Sequence, residues 1–152
     1  MPKIDIDAVP LDTGIGYPAQ FRGPVEGRVR QRLGRAAGLT RFGVNLCRLA
    51  PGVASSLRHW HSDEDELVYV LEGEVVLVED TGETVLKAGE AAAWPAGTGL
   101  GHCLVNRSDR DAVVLEIGNR AATDTVEYPG LDLKIERTAS TGRYVHRNGE
   151  PY

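Results

Sequence analysis

The stretch Gly52-Val53-Ala54-Ser55-Ser56-Leu57-Arg58-His59-Trp60-His61-Ser62-Asp63-Glu64-Asp65-Glu66-Leu67-Val68-Tyr69-Val70-Leu71-Glu72-Gly73 decides how this chain is read. Side chains on a strand alternate between its two faces, so His59 and His61 point the same way and one short strand delivers two imidazoles to one place. The polar run Ser62-Asp63-Glu64-Asp65 is a turn. Beyond it, Glu66 shares a strand face with Val68 and Val70, which sets a carboxylate at the mouth of an apolar interior.

A second block, Gly89 through Pro95, Gly97 and His102 to Asn106, supplies a third histidine from a distant strand. A lone His-x-His pair on a strand is ordinarily a polar surface feature. A glutamate and a third histidine, each with its own turn glycine at strand-length spacing, make a metal site the better reading. His59, His61, Glu66 and His102 are therefore the candidate ligands of one divalent transition-metal ion per chain. Imidazole and carboxylate donors suit zinc, iron, manganese, nickel or copper, and the lack of thiolates argues against a tetrahedral structural zinc. Four protein ligands leave two positions of an octahedral ion for a substrate or water.

Outward from these blocks, short β-type runs are separated by Gly, Pro and Asp: Phe42 to Leu49, Leu57 to His61, Leu67 to Leu71, Glu74 to Glu79, Thr84 to Lys87, Ala91 to Trp94, His102 to Asn106 and Ala112 to Ile117. Such spacing indicates an all-β sandwich or barrel. Arg30 to Ala37 has room for a turn or two of helix. Residues 1–24, broken up by Pro and Gly, form an N-terminal arm, 25–120 the barrel, and 121–152 a C-terminal extension that lies on the barrel or on a partner subunit. The extension carries two weaker runs, Leu131 to Ile135 and Arg143 to His146.

At 152 residues the chain fits one domain with a substantial core. A formal charge of -5 speaks against nucleic-acid or anionic-membrane partners. No segment is apolar enough to span a bilayer, the first ten residues lack a secretion signal, and Cys47 and Cys103 are too few for a disulfide framework, so a cytoplasmic location is expected. Alternation turns Cys103 away from its neighbour His102. Arg22, Arg28, Arg30, Arg32, Arg35 and Arg41 make the stretch before the barrel basic, read as a solvated face or inter-subunit ion pairs. The cavity wall, judged from Val68, Val70 and Leu104, is expected to be mainly apolar, with Trp94 in the core. Tyr69, Tyr144, Glu64 and His146 are titratable but have no motif support and are left out of the site.

With both blocks in place, the central hundred residues resemble the cupin superfamily, whose two motifs match Gly52 to Gly73 and Gly89 to Asn106. His59-Trp60-His61 followed by Tyr69-Val70-Leu71-Glu72-Gly73 is similar to small single-domain bacterial cupins. The resemblance implies a jelly-roll β-barrel (double-stranded β-helix), His59, His61, Glu66 and His102 as metal ligands, and a homodimer. This chain has six residues before its histidine pair where the family pattern has five, and four between Gly97 and His102 where the pattern has two. Both insertions fall in loops at the pocket rim. Oxalate decarboxylases share the His-Trp-His triplet but place a pocket arginine three positions before the first histidine, where this chain has Ser56. Arg58, adjacent to His59, points to the opposite face.

The expected function is a metal-dependent enzyme acting on a small polar organic molecule, of dioxygenase, isomerase or lyase type. The alternative is a metal-dependent small-ligand binding or sensing protein without turnover. A storage-type protein with an incidental site is disfavoured, because the whole ligand set is present.

Overall fold

The computed structural model describes residues 3–138 and 140–152. Its strands in chain order are β1 (Leu11–Asp12), β2 (Val29–Gln31), β3 (Phe42–Leu49), β4 (Trp60–His61), β5 (Glu66–Glu72), β6 (Glu74–Glu79), β7 (Gly82–Lys87), β8 (Ala91–Trp94), β9 (His102–Val105), β10 (Ala112–Asn119), β11 (Thr123–Glu127), β12 (Lys134–Thr138) and β13 (Gly142–Val145). One wall is a six-stranded sheet in the order β1-β2-β3-β10-β5-β8. The other is made of β7-β6-β9 and β13-β12-β11-β4, each pairing antiparallel. These two pieces meet edge to edge where His59 N–H donates to His102 O (3.1 Å) and His102 N–H donates to His59 O (2.9 Å). Distant strands such as β3, β10 and β5 thus lie side by side, as in a jelly roll.

Alternation drives this closure. On β5, Val68 and Val70 are buried while Leu67, Tyr69 and Leu71 face out. Val70 packs with Cys47, Leu49, Val75 and Val114, all buried, in the main core between the sheets. Each fully buried valine or leucine contributes roughly 1.5–3 kcal/mol relative to exposure. Asn106, at the end of the second block, is wholly buried and donates from Nδ2 to Leu49 O (2.8 Å) and Arg110 O (2.6 Å), which fixes the turn into β10.

Both ends of the chain fold onto the open end of the barrel. Tyr17 and Val25 from the N-terminal side pack with Leu57, Val126, Tyr128 and Leu133 in a second core. β1 extends the six-stranded sheet through β2, and β11 pairs with β4, which carries His61. β11 was not expected from Thr123-Asp124-Thr125-Val126-Glu127, because a single apolar residue in the run hides its alternation. The expected strand over Leu131 to Ile135 begins only at Lys134, since Leu133 turns into the second core. The helical stretch is confined to Leu33–Ala36, and β2 takes the residues before it. No described helix is long and apolar enough to cross a membrane.

The β5–β6 reversal depends on Gly73, whose φ of +73° lies in the left-handed region and whose added Cβ would sit 2.9 Å from Asp111 O. Gly73→Ala is expected to cost roughly 2–4 kcal/mol in urea unfolding, from backbone strain plus a clash against backbone that has no free end to move. A loss under about 0.5 kcal/mol would mean the turn relaxes freely.

Candidate functional site

His59 follows a loop and its ring enters the barrel with that of His61 on β4; His102 opens β9 and Glu66 opens β5. The structure brings all four around the Glu66 carboxylate: donor atoms of His59, His61 and Glu66 lie within 4.8 Å of one another, and His102 joins them through Glu66. His59 Nε2 lies 3.4 Å from Glu66 Oε2, His61 Nε2 lies 3.6 Å from Glu66 Oε1, and His102 Nε2 lies 2.9 Å from Glu66 Oε2. The His59 ring centroid is 5.1 Å from that of His61 and 5.1 Å from that of His102.

Each ring is aimed by its other nitrogen. His59 Nδ1–H donates to Leu57 O (2.9 Å), His102 Nδ1–H to Leu100 O (3.2 Å), and His61 Nδ1–H to Asp124 Oδ2 (2.6 Å). With every Nδ1 proton assigned to a protein acceptor, all three Nε2 atoms present lone pairs toward one carboxylate. Lone pairs facing carboxylate oxygens at these distances require a proton or a cation among them. The donor set, three imidazole nitrogens and a carboxylate, fits zinc, iron, manganese or nickel. A carboxylate behind a ligand histidine, as Asp124 stands behind His61, raises the basicity of the ring and fixes its orientation.

A second acidic cluster shares His61: Glu64 Oε2 lies 3.8 Å from His61 Nδ1 on the Asp124 side of the ring. Glu64 is held by Ala121 N–H (3.1 Å) and Arg137 (3.3 Å), and Asp124 Oδ1 accepts from Asp63 N–H (3.0 Å). These carboxylates are already engaged, and the cluster serves to orient the ring. Sequence reasoning passed over Asp124 altogether and set Glu64 aside, since neither belongs to a motif.

His102 also stacks flat on Trp94, with centroids 3.7 Å apart and planes 2° from parallel. Trp94 is a core residue, as expected, and its Nε1–H donates to Glu79 Oε1 (2.8 Å). Cys103 takes the face opposite His102, near Arg58 and Arg107, and burial pushes its thiol up to about 11, so it carries almost no thiolate at neutral pH. Arg58 turns outward to pair with Asp80. His146 is bound to Asp132 and stacked on Tyr152 in the C-terminal tail.

The cavity of about 680 Å³ around this cluster corrects two expectations. Its wall is not mainly apolar: beside Val68 and Leu104 it includes Arg28, Arg30, Asn45, Glu116 and Tyr128. Nor is the basic stretch all solvated face, because Arg28 is only 7% exposed and Arg30 is clamped by Glu116 through two 2.7 Å hydrogen bonds. Which side of this stretch turns inward cannot be read from residues so polar. Arg32 also lines the cavity but nearer the surface, where it pairs with Asp12 (2.6 Å).

Charge coupling sets the protonation pattern. In the metal-free protein, burial alone would raise the Glu66 carboxyl, but protons shared with it by the facing His102 and His59 rings prevail and hold it far below the usual range. Burial would likewise raise Asp124, yet its bond with His61 lowers it; burial would lower His61, yet Asp124 raises it. Stability from Glu66 and Asp124 is complete above their ordinary values of 4.5 and 3.8 and is lost as pH falls below them. Stability from His61 is complete below 6.5 and is lost as pH rises through its folded value. Chelator-treated protein should therefore melt highest between about pH 4.5 and 6.5, and a divalent ion should abolish the alkaline decline by replacing the proton. A melting temperature that is flat from pH 5 to 8 without metal would contradict this. Asp124→Asn should weaken metal affinity by about 10- to 100-fold in a competitive chelator titration with the fold intact. Unchanged affinity would remove Asp124 from the site.

Residues 45–118 match the Cupin domain family. Among solved structures, a sugar phosphate isomerase from a cupin superfamily of Silicibacter pomeroyi is 44% identical, with a TM-score of 0.95 over 99% of this chain and 96% of that one. A second, from Acidithiobacillus ferrooxidans and described provisionally as a sugar phosphate isomerase, is 30% identical with a TM-score of 0.74 over 82% and 80% of the two chains. The polyketide cyclase RemF of Streptomyces resistomycificus, 22% identical with a TM-score of 0.65 over 78% and 79%, shares the fold. No curated protein matches. Barrel, paired motif blocks and full-length likeness to the Silicibacter protein together make this chain a member of the cupin superfamily.

Proposed function

We propose that this protein is a metal-dependent isomerase of a small phosphorylated sugar, with His59, His61, Glu66 and His102 holding one divalent ion. The observation that carries the reading is the convergence of three Nε2 atoms on the Glu66 carboxylate inside a cavity large enough for such a molecule. The reaction class is supported by the 44% identical Silicibacter protein, described as a sugar phosphate isomerase.

When bound, the ion supplies a Lewis acid that polarises the carbonyl and neighbouring hydroxyl oxygens of an open-chain sugar and acidifies the C–H between them. The chain's own groups hold the ion's ligands in place and shape the cavity around the substrate. Leu57 O, Leu100 O and Asp124 keep the three rings from turning. Tyr128, whose ring centroid is 5.9 Å from that of His59, is kept protonated by burial and by Tyr17 and Tyr144, so it does not act as a base. Val68, Leu104 and the Trp94–His102 stack close the floor against water. The same reading includes a homodimer, supported by Leu67, Tyr69 and Leu71, which leave the outward face of β5 apolar and exposed.

Protein purified without chelator should carry about one equivalent of a divalent transition metal, and His61→Ala should lower that at least about tenfold while the barrel stays folded. In D2O, metal-loaded protein given aldose or ketose phosphates should form the partner isomer and incorporate deuterium at the carbon beside the carbonyl, as read by NMR. Full metal occupancy and ligand binding with neither interconversion nor exchange would contradict the isomerase reading and favour ligand capture without turnover.

A further inference from the structure

We propose that Arg28 anchors a phosphate-binding subsite in the same cavity, receiving the phosphate of a substrate whose carbonyl end lies at the His59–His61–His102–Glu66 cluster. This deepens the isomerase reading and rests on it for the identity of the substrate.

The argument begins with two guanidinium groups that share one neutral acceptor. Arg28 Nη1 donates to Ser55 O at 2.6 Å and Arg30 Nη2 donates to the same oxygen at 3.1 Å. Arg30 is neutralised, since Glu116 takes it with both carboxylate oxygens at 2.7 Å and is steadied by Asn45 at 3.4 Å. Arg28 has no such partner: among the described residues none of the ion pairs includes it, although it is only 7% exposed. A buried cation beside a second cation, resting on a neutral carbonyl, is an unfavourable arrangement for the protein alone. Burial and the charge of Arg30 both press its guanidinium toward the neutral form. An anion in the cavity, which Arg28 lines, relieves both effects.

Geometry favours a phosphate. A guanidinium fork matches two phosphate oxygens, and the donors left over by Ser55 O are available for that contact. Tyr17 and Tyr144 line the same region and bring phenol groups, while the nearby carboxylate, Glu116, is occupied by Arg30. The same cavity holds the imidazole cluster. Both groups are tied to one short segment, because Ser55 touches Arg28 and His59 lies four residues on, which caps the Ser55–His59 separation at about 14 Å of fully extended chain. A small sugar phosphate can place its phosphate on Arg28 and its carbonyl at the cluster within that limit. The arginine arrives from the residue before β2, far in sequence from the metal motifs.

The test is titration of metal-loaded protein with inorganic phosphate, followed by calorimetry. Wild-type protein should bind phosphate saturably, Arg28→Gln should weaken binding tenfold or more at unchanged metal content, and Arg107→Gln, on an exposed Glu83 pair, should leave it unchanged. Should Arg28→Gln not fold, Arg28→Lys keeps the charge but loses the fork and should bind phosphate at least threefold more weakly. No saturable binding by wild type, or equal affinity in a folded Arg28 variant, overturns the proposal. Arg28-dependent phosphate binding without isomerisation would sink the isomerase reading and leave the subsite standing. Isomerisation with phosphate affinity indifferent to Arg28 would do the reverse.

Discussion

Three imidazoles that each surrender Nδ1 to a protein acceptor, and so aim Nε2 at a single carboxylate, impose the constraint on which this site depends. The acceptors come from different parts of the chain: Leu57 O and Leu100 O lie two residues before their histidines, whereas Asp124 arrives from β11. The paired backbone bonds between His59 and His102 hold two of the rings together and also close the second wall of the barrel. Closing the sheet and assembling the cluster are thus one event. A barrel that failed to join at this seam would separate His59 from His102, while β5 would still carry Glu66.

Charge is distributed along the cavity by pairing. Glu66 answers the imidazoles, and Asp124 stabilises the ring of His61 from behind. Arg30 and Glu116, lining the same cavity, cancel each other through a bidentate contact, leaving Arg28 as excess positive charge. Buried ion pairs add little net stability, because desolvation offsets their attraction. Their value here lies in position, since Glu116 keeps Arg30 from competing for an anion and Arg30 keeps Glu116 from neutralising Arg28. The terminal segments contribute directly, Tyr17 from one and Tyr128 and Tyr144 from the other, so the mouth of the barrel is built by the parts of the chain with the weakest sequence patterns.

Much of the fold was legible because β3, β6 and β8 are short apolar-rich runs bounded by turn residues, and their limits match the expected runs. The convergence of His59, His61, Glu66 and His102 was legible because period-two geometry and glycine spacing constrain them locally. Asp124, Glu116 and the inward turn of Arg28 were not. Glu116 and Arg28 reach the cavity, and Asp124 the back of His61, through strand pairing across tens of residues, and a charged side chain on or beside a short strand gives no hint of which face is buried. Polar runs such as Thr123–Glu127 become strands through their neighbours, with β12 on one side and β4 on the other, more than through their own composition.

The central claim is that one cation sits among three histidine nitrogens and a carboxylate. X-ray absorption fine structure at the metal edge of the purified, metal-bearing protein tests it most directly. The account calls for nitrogen and oxygen neighbours at about 2.0–2.2 Å with outer-shell scattering from three imidazole rings. Sulfur at about 2.3 Å, or scattering from one ring or none, would place the ion elsewhere and contradict it.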